Sequence, residues 1–181
     1  MLDLFILRHA KSSWDDEILD DFDRTLNKRG KKSAQLMGRY FVSKAVQPDI
    51  VYCSKAKRCK ATLKHLLSEG FSPQENLYLN ELYLATCEEL LGIIQNTPGT
   101  VNSLMIIGHN PGLETLALKL CKDKTTPDYL SIKEKYPTAG FVHIKFDLDT
   151  GPLGWSDLAP NSGTLYCYRT PKQLLAQDGP F

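Results

Sequence analysis

Arginine and histidine residues stand just after apolar runs in separate parts of this chain. Arg8 and His9 follow the run at residues 4–7, His109 follows the run at 104–107, and Arg58 comes shortly after the run at 50–53. Guanidinium groups are permanently charged forks that match phosphoryl oxygens. Neutral imidazole is a competent nucleophile near neutral pH. The sequence therefore predicts a phosphate pocket in which one histidine attacks phosphorus and the other donates hydrogen bonds to its oxygens.

Each of these residues also has an ordinary structural interpretation. An Arg-His pair is common on protein surfaces, and His109 lies in a G-H-N-P-G turn whose backbone it could bind. Arg58 lies in a basic run, which is typical of a solvated helix face. Ligands of α/β proteins bind beyond the carboxyl ends of the parallel strands. The shared position of these residues, each after a predicted strand, therefore favours a site.

Apolar runs and helical repeats alternate along the first two thirds of the chain. Short apolar runs predict buried strands, and apolar residues at steps of three and four predict helices. We predict strands at residues 2–7, 50–53, 77–79 and 103–107, and helices at residues 27–45, 54–70, 88–95 and 113–120. This order predicts a three-layer α/β/α sandwich with a mostly parallel central sheet.

The last third of the chain has a different pattern. Residues 141–147 alternate between apolar and polar types, and a second short run follows at residues 165–168. Such alternation predicts one or two antiparallel strands at an edge of the sheet. A length of 181 residues predicts a single domain over residues 1–181, in which we expect residues 173–181 to form a loose tail.

Composition excludes several functional classes. Lys and Arg number 22 against 21 Asp and Glu, so no overall charge draws the protein to nucleic acid or to an anionic membrane. No run approaches the roughly 20 apolar residues of a membrane span, and the N-terminus lacks a signal-peptide pattern, so we expect a cytoplasmic protein. The five cysteines form no C-x-x-C, and His65 and His143 have no ligand spacing, so we expect no metal. We expect no cofactor, because phosphate-loop and dinucleotide motifs are missing.

Four motifs follow one another in a specific order: L-F-I-L-R-H-A-K-S, S-K-A-K-R-C-K-A-T, N-E-L-Y and I-I-G-H-N-P-G-L-E. Together they resemble the histidine phosphatase superfamily, whose hallmark is R-H-G near the N-terminus. The short length, R-H-A in place of R-H-G, and G-H-N-P-G are most similar to its SixA-type phosphohistidine phosphatase branch. The resemblance extends from Leu2 to about Lys172 and implies a phosphoglycerate mutase-like fold.

The resemblance also implies roles for individual residues. His9 matches the nucleophile that becomes a phosphohistidine, and Glu81 matches the position where many members keep a proton donor for the leaving group. The implied phosphate-binding residues are Arg8, Arg24, Arg58, His109 and Asn110, the last through its backbone N–H. Arg24 has a second interpretation, as a partner of Asp21 or Asp23.

The leaving group bears on the substrate class. Imidazole leaves phosphohistidine with little help, whereas an alkoxide requires strong proton donation. Only 27 positions separate Glu81 from His109, too few for a large helical lid, so an open site is expected to admit a side chain of another protein. We therefore predict hydrolysis of protein phosphohistidine, for example on a phosphorelay domain, with inorganic phosphate as product. Two alternatives remain: a general small-molecule phosphomonoesterase, and a non-catalytic phosphate- or phosphoprotein-binding module.

Overall fold

Strands and helices follow one another in the predicted order through the first two thirds of the chain. The computed structural model describes residues 1–14, 20–147 and 154–178. The strands are β1 (Leu2–Arg8), β2 (Ile50–Ser54), β3 (Glu75–Leu79), β4 (Ser103–Gly108), β5 (Phe141–Phe146) and β6 (Thr164–Arg169). The α-helices are α1 (Lys28–Ser43), α2 (Lys57–Leu67), α3 (Cys87–Gln95), α4 (Gly112–Leu120), α5 (Pro127–Glu134) and α6 (Pro171–Asp178).

The six strands form one sheet in the order β3-β2-β4-β1-β5-β6. The first four strands of that order are mutually parallel, whereas β5 runs antiparallel to β1 and β6 runs antiparallel to β5. Parallel neighbours need a crossover connection, which here is supplied by helices. The prediction of a mostly parallel sheet with an antiparallel edge is confirmed, and that edge contains two strands.

Each face of the sheet carries its own apolar core. Along β1, Leu4 and Ile6 pack into one core with residues of α3, α4 and α5. Phe5 and Leu7 point the other way and pack with residues of α1, α2 and α6. This alternation follows from the two-residue period of a strand covered on both sides. The predicted three-layer sandwich is therefore confirmed.

Helix α5 was not apparent in the apolar pattern. Only Tyr129 and Ile132 of this helix are buried, so the sequence shows no apolar stripe. The helix begins instead on local signals: the Thr126 hydroxyl accepts a hydrogen bond from the Tyr129 N–H (3.2 Å), and Pro127 occupies the first turn.

The expectation of a loose tail over residues 173–181 is wrong for residues 173–178, which belong to helix α6. A reciprocal cap starts this helix: the Gln173 side chain accepts a hydrogen bond from the Thr170 N–H (2.8 Å), and the Thr170 hydroxyl accepts one from the Gln173 N–H (3.3 Å). Leu174 is buried in the second core, which holds the helix on the sheet. Residues 179–181 lie outside the described residues.

The strand register brings the ends of three strands together. Arg8 is level with Gly108 on β4, and Cys53 of β2 is level with Ile107. His9 and His109 each follow one of these aligned positions, so they leave the same edge of the sheet side by side. Within residues 1–14, 20–147 and 154–178, no helix is long and apolar enough to cross a bilayer.

Candidate active site

A basic cavity of about 670 Å³ opens at the carboxyl edge of the parallel strands. Six of its lining residues are Arg or Lys, and Asp21 is the one acidic residue among those that line it in the described part of the chain. The predicted site residues that line it are Arg8, His9, Arg24, Arg58, His109 and Asn110. The structure therefore brings together six of the seven residues that the motifs indicate. The cavity has the charge that an anion requires.

His9 has one ring nitrogen bound to the backbone and one free of it. Its Nδ1 lies 2.8 Å from the carbonyl oxygen of Ala10, and because a carbonyl only accepts, Nδ1 must carry the proton. The lone pair therefore resides on Nε2. Burial lowers the pKa of His9 from its usual 6.5 to about 4; the bond to Ala10 opposes this change, and the charge of Arg58 reinforces it. At neutral pH His9 is thus an uncharged imidazole whose nucleophilic nitrogen has a defined identity.

His109 is held in the opposite tautomer. Its Nδ1 lies 3.2 Å from Nη2 of Arg58, and because a guanidinium only donates, Nδ1 must accept. Nε2 therefore carries the proton and donates to the Ser54 hydroxyl at 3.0 Å. Burial, followed by the neighbouring His9 and Arg58, lowers the pKa of His109 to about 3. The two imidazole rings lie 5.1 Å apart between centroids.

Arg8 is positioned by the turn that precedes β5. Its Nη1 donates to the carbonyl oxygen of Tyr136 at 2.7 Å, and the Tyr136 hydroxyl donates in turn to the Ile6 carbonyl at 2.9 Å. The Arg8 Nε is buried and has no hydrogen-bond partner within the described residues. A buried N–H without a partner costs free energy, which an anion in the cavity could recover. Arg8 is therefore held in place through Nη1, and its Nε–H remains available to donate a hydrogen bond to a ligand.

Arg58 and Arg24 share one carboxylate. Asp21 accepts from Arg58 Nη2 at 2.8 Å and from Arg24 Nη1 at 2.9 Å, and its backbone carbonyl accepts from Arg58 Nη1. Arg24 also donates to the Ser13 carbonyl (2.9 Å) and to the Ser12 hydroxyl (2.8 Å). Arg24 thus has the partner that its second interpretation named, while it also lines the cavity. Its role in phosphate binding stays a prediction.

The loop after His9 is held from two sides. The Thr62 hydroxyl accepts from the Ala10 N–H at 3.0 Å and donates to the Arg58 carbonyl at 2.7 Å, which ties the loop to helix α2. On the other side helix α1 approaches so closely that a Cβ on Gly30 would stand 2.0 Å from the Lys11 carbonyl oxygen. Glycine is required there because a larger residue would overlap the loop backbone.

Glu81 is the predicted site residue that the structure leaves outside the cavity. It is exposed in a short 3₁₀ helix (Asn80–Leu82) and lines a different depression with Leu77 and Glu89. In this helix Leu82 takes the inward position, where it is 1% exposed, so its neighbour Glu81 points elsewhere. This placement does not support a role for Glu81 as proton donor.

Asn110 lines the cavity; its Nδ2 is bound, whereas its Oδ1 is buried without a hydrogen-bond partner among the described residues. Its Nδ2 donates to Glu114 at 2.8 Å and to the Tyr136 carbonyl at 3.2 Å. The side chain therefore joins helix α4 to the turn that orients Arg8. Binding of phosphate by its backbone N–H stays a prediction.

Several cavity residues are not indicated by the sequence motifs, among them Asp21, which the sequence suggests only as a partner of Arg24. Its acidic neighbourhood resembles an ordinary solvated loop, and nothing local indicates that it reaches helix α2, 37 residues away. Trp14, Lys135 and Leu84 also line the cavity without any motif that marks them. Among the described residues, no group of three or more His, Cys, Asp or Glu is arranged to hold a metal ion.

The sequence was compared with family profiles and with known proteins, and it matches one family profile. The sequence profile of the histidine phosphatase superfamily (branch 1) matches residues 4–103. An uncharacterized protein of Mycobacterium tuberculosis is 31% identical over 168 residues, which cover 92% of this chain and all of the relative.

Two solved structures share the whole fold. A protein of Agrobacterium tumefaciens assigned as phosphohistidine phosphatase SixA is 26% identical, with a TM-score of 0.75 over 94% of this chain and 98% of that one. A protein of Nakamurella multipartitia with the same assignment is 24% identical, with a TM-score of 0.79 over 94% of this chain and 96% of that one. At 24% identity, the likeness to the Nakamurella protein shows the fold alone. That fold is phosphoglycerate mutase-like.

Proposed function

We propose that this chain, which belongs to the histidine phosphatase superfamily and has the fold of its SixA-type branch, hydrolyses protein phosphohistidine through a covalent intermediate on His9. One observation carries the proposal. The free Nε2 of an uncharged His9 lies in the same basic cavity as Arg8, Arg58 and His109. A nucleophile, fixed positive charge and a second imidazole are the parts that transfer of a phosphoryl group needs.

The reaction proceeds in two displacements. In the first, Nε2 of His9 forms a bond to phosphorus as the bond between phosphorus and the substrate imidazole breaks. In the second, a water oxygen bonds to phosphorus, the bond to His9 breaks, and inorganic phosphate leaves while the proton of the water passes to solvent. Nδ1 of His9 keeps its hydrogen bond to the Ala10 carbonyl throughout, which stabilises the ring while Nε2 carries the phosphoryl group.

The positive groups act on the phosphoryl oxygens. Arg8 and Arg58 neutralise the charge that develops during transfer. A bound phosphoryl oxygen accepts from Arg58 Nη2 in place of His109 Nδ1, and the negative charge of the phosphoryl group raises the pKa of His109, so that the released Nδ1 gains a proton and donates to an oxygen. His109 is prepared for this because Nε2 is already fixed on Ser54.

Among the described residues that line the cavity, none is placed to donate a proton to a leaving group, which favours a phosphoramidate over an alkyl phosphate. Glu81 lies elsewhere, and Asp21, the one acid among the described lining residues, is ionised. Burial acts to raise the pKa of Asp21, but hydrogen bonds from Tyr83, Arg58 and Arg24 outweigh it and lower the pKa to about 2. An alkoxide would then leave without protonation, whereas imidazole leaves readily. An imidazole leaving group therefore fits this cavity better than an alkoxide does.

The test is release of phosphate, without added metal, from a phosphotransfer domain phosphorylated on histidine and from p-nitrophenyl phosphate. We expect turnover of both substrates by the wild type, preference for the phosphohistidine, and loss of turnover in His9→Ala. His65→Ala on helix α2 is the matched control and should retain activity. Turnover of the small ester alone would establish the general phosphomonoesterase. Binding of phosphate without any turnover would establish the non-catalytic module.

The cytoplasmic location, the independence of metal and a phosphohistidine-bearing protein as partner are expected from the sequence and remain predictions. The same phosphate-release assay, run with and without a chelator, tests the second of these. We expect the rate to be the same in both conditions.

A further inference from the structure

Asp21 places a carboxylate at the open side of the phosphate cavity. Its side chain is 45% exposed, whereas the side chain of Arg58, which it contacts, is 4% exposed. Three groups hold it: Arg58 and Arg24 as described, and the Tyr83 hydroxyl, which donates to Oδ2 at 2.7 Å. The carboxylate is thus both fixed and accessible, a combination that suits a ligand contact rather than a buried structural pair.

Arg58 relates this carboxylate to the reaction centre. The same Nη2 atom lies 2.8 Å from Asp21 Oδ2 and 3.2 Å from His109 Nδ1. The His109 ring in turn lies beside the His9 ring, with the centroids 5.1 Å apart and the planes tilted by 53°. The carboxylate is therefore one guanidinium nitrogen away from the histidine pair, on the side that faces solvent. A leaving group on a phosphoryl group bound at His9 occupies the same cavity, which Asp21 also lines.

The leaving group of a phosphohistidine has chemistry that a carboxylate recognises. One ring nitrogen carries the phosphoryl group, and the other binds a proton near neutral pH. The protonated ring is a cation, and cleavage of its P–N bond releases neutral imidazole without any further proton transfer. A carboxylate that accepts the ring N–H stabilises this reactive form. An anionic leaving group would instead be repelled.

Resting on the proposed function, we propose that Asp21 forms a subsite for the substrate imidazolium and thereby selects phosphohistidine over phosphate esters. The carboxylate accepts a hydrogen bond from the ring nitrogen that does not carry phosphorus. It does not donate a proton to the leaving group.

The experiment measures kcat/KM for the histidine-phosphorylated domain and for p-nitrophenyl phosphate in the wild type and in Asp21→Asn, which keeps the size of the side chain and removes its charge. We expect the ratio of the two values, phosphohistidine over ester, to fall about tenfold at pH 8 because a charge-assisted hydrogen bond is lost. The loss should shrink towards pH 6, where the substrate ring is protonated without help. Turnover of the ester reports in each sample that the variant is folded.

Asp23→Asn is the matched control. Asp23 lies two residues further along, pairs with Lys57 at 3.2 Å on the surface, and does not line the cavity. Its variant should retain the wild-type ratio. An equal change on both substrates in Asp21→Asn, or a loss that does not depend on pH, would show a structural role and overturn this inference alone. Absence of phosphohistidine turnover in the wild type would overturn the proposed function itself and this inference with it.

Discussion

Burial of an uncharged His9 predicts a specific dependence of stability on pH. In the folded protein the pKa of His9 is about 4, because the buried ring loses the solvation that would stabilise its charge. In the unfolded chain the pKa returns to about 6.5. Between these values the unfolded chain binds a proton that the folded protein does not bind. Stability contributed by neutral His9 is therefore complete above pH 6.5 and is lost as the pH falls towards 4.

The size of the effect follows from the two pKa values. A difference of one unit corresponds to about 1.4 kcal/mol, so a pKa of about 4 against 6.5 corresponds to about 3 kcal/mol in the free energy of unfolding. Asn in place of His9 cannot titrate, and this pH dependence should vanish in His9→Asn. The pKa of His109 is about 3, so this residue stays neutral in the folded state over the same range, and its contribution largely cancels between the two proteins.

The assay is urea unfolding of wild type and His9→Asn at pH 7.5, 6, 5 and 4. We expect the difference between their unfolding free energies to change by about 3 kcal/mol across the series. His65→Asn is the control, since His65 is only partly buried on helix α2, and it should give a much smaller change. A difference that stays constant for His9→Asn would show that folding does not lower the pKa of His9. Nitrogen NMR of the His9 ring at pH 6 gives an independent check and should show the proton on Nδ1.

Three further predictions concern the scaffold, at Thr62, Gly112 and Gly92. Thr62→Val removes the acceptor of the buried Ala10 N–H, so it should lower the free energy of unfolding by about 1–3 kcal/mol and also lower turnover. Thr62→Ser keeps the hydroxyl and should retain most of the turnover. Gly112→Ala places a Cβ 2.0 Å from the Ala85 carbonyl oxygen and should destabilise by about 1–3 kcal/mol. Gly92→Ala meets nothing within 4 Å in helix α3 and should stabilise by about 0.5–1 kcal/mol. Thermal or urea unfolding measures each effect, and equal results for the two alanine variants would contradict the packing argument.

The architecture could be predicted from the amino-acid pattern, because the period of apolar residues directly reflects which faces of an element are covered. Strands covered on both faces read as unbroken apolar runs, so β1, β2 and β4 were predicted to within one or two residues. The motifs also located six residues that share the cavity, since the carboxyl ends of parallel strands meet at one edge. Helices α5 and α6 were not predicted from the apolar pattern, because they bury few side chains and begin at capping residues rather than on an apolar stripe.

The partners of the polar groups, in contrast, could not be predicted and are known only from the folded chain. The tautomers of His9 and His109 depend on Ala10 and Arg58, and no pattern in the sequence indicates which ring nitrogen meets which partner. Glu81 lies outside the cavity, and its neighbour Leu82 is buried in the core. Asp21 lines the cavity, where it binds Arg58, a residue distant in the chain. Apolar burial is a property of periodicity, which is local, whereas a hydrogen bond requires two specific atoms to meet, which only the folded chain arranges.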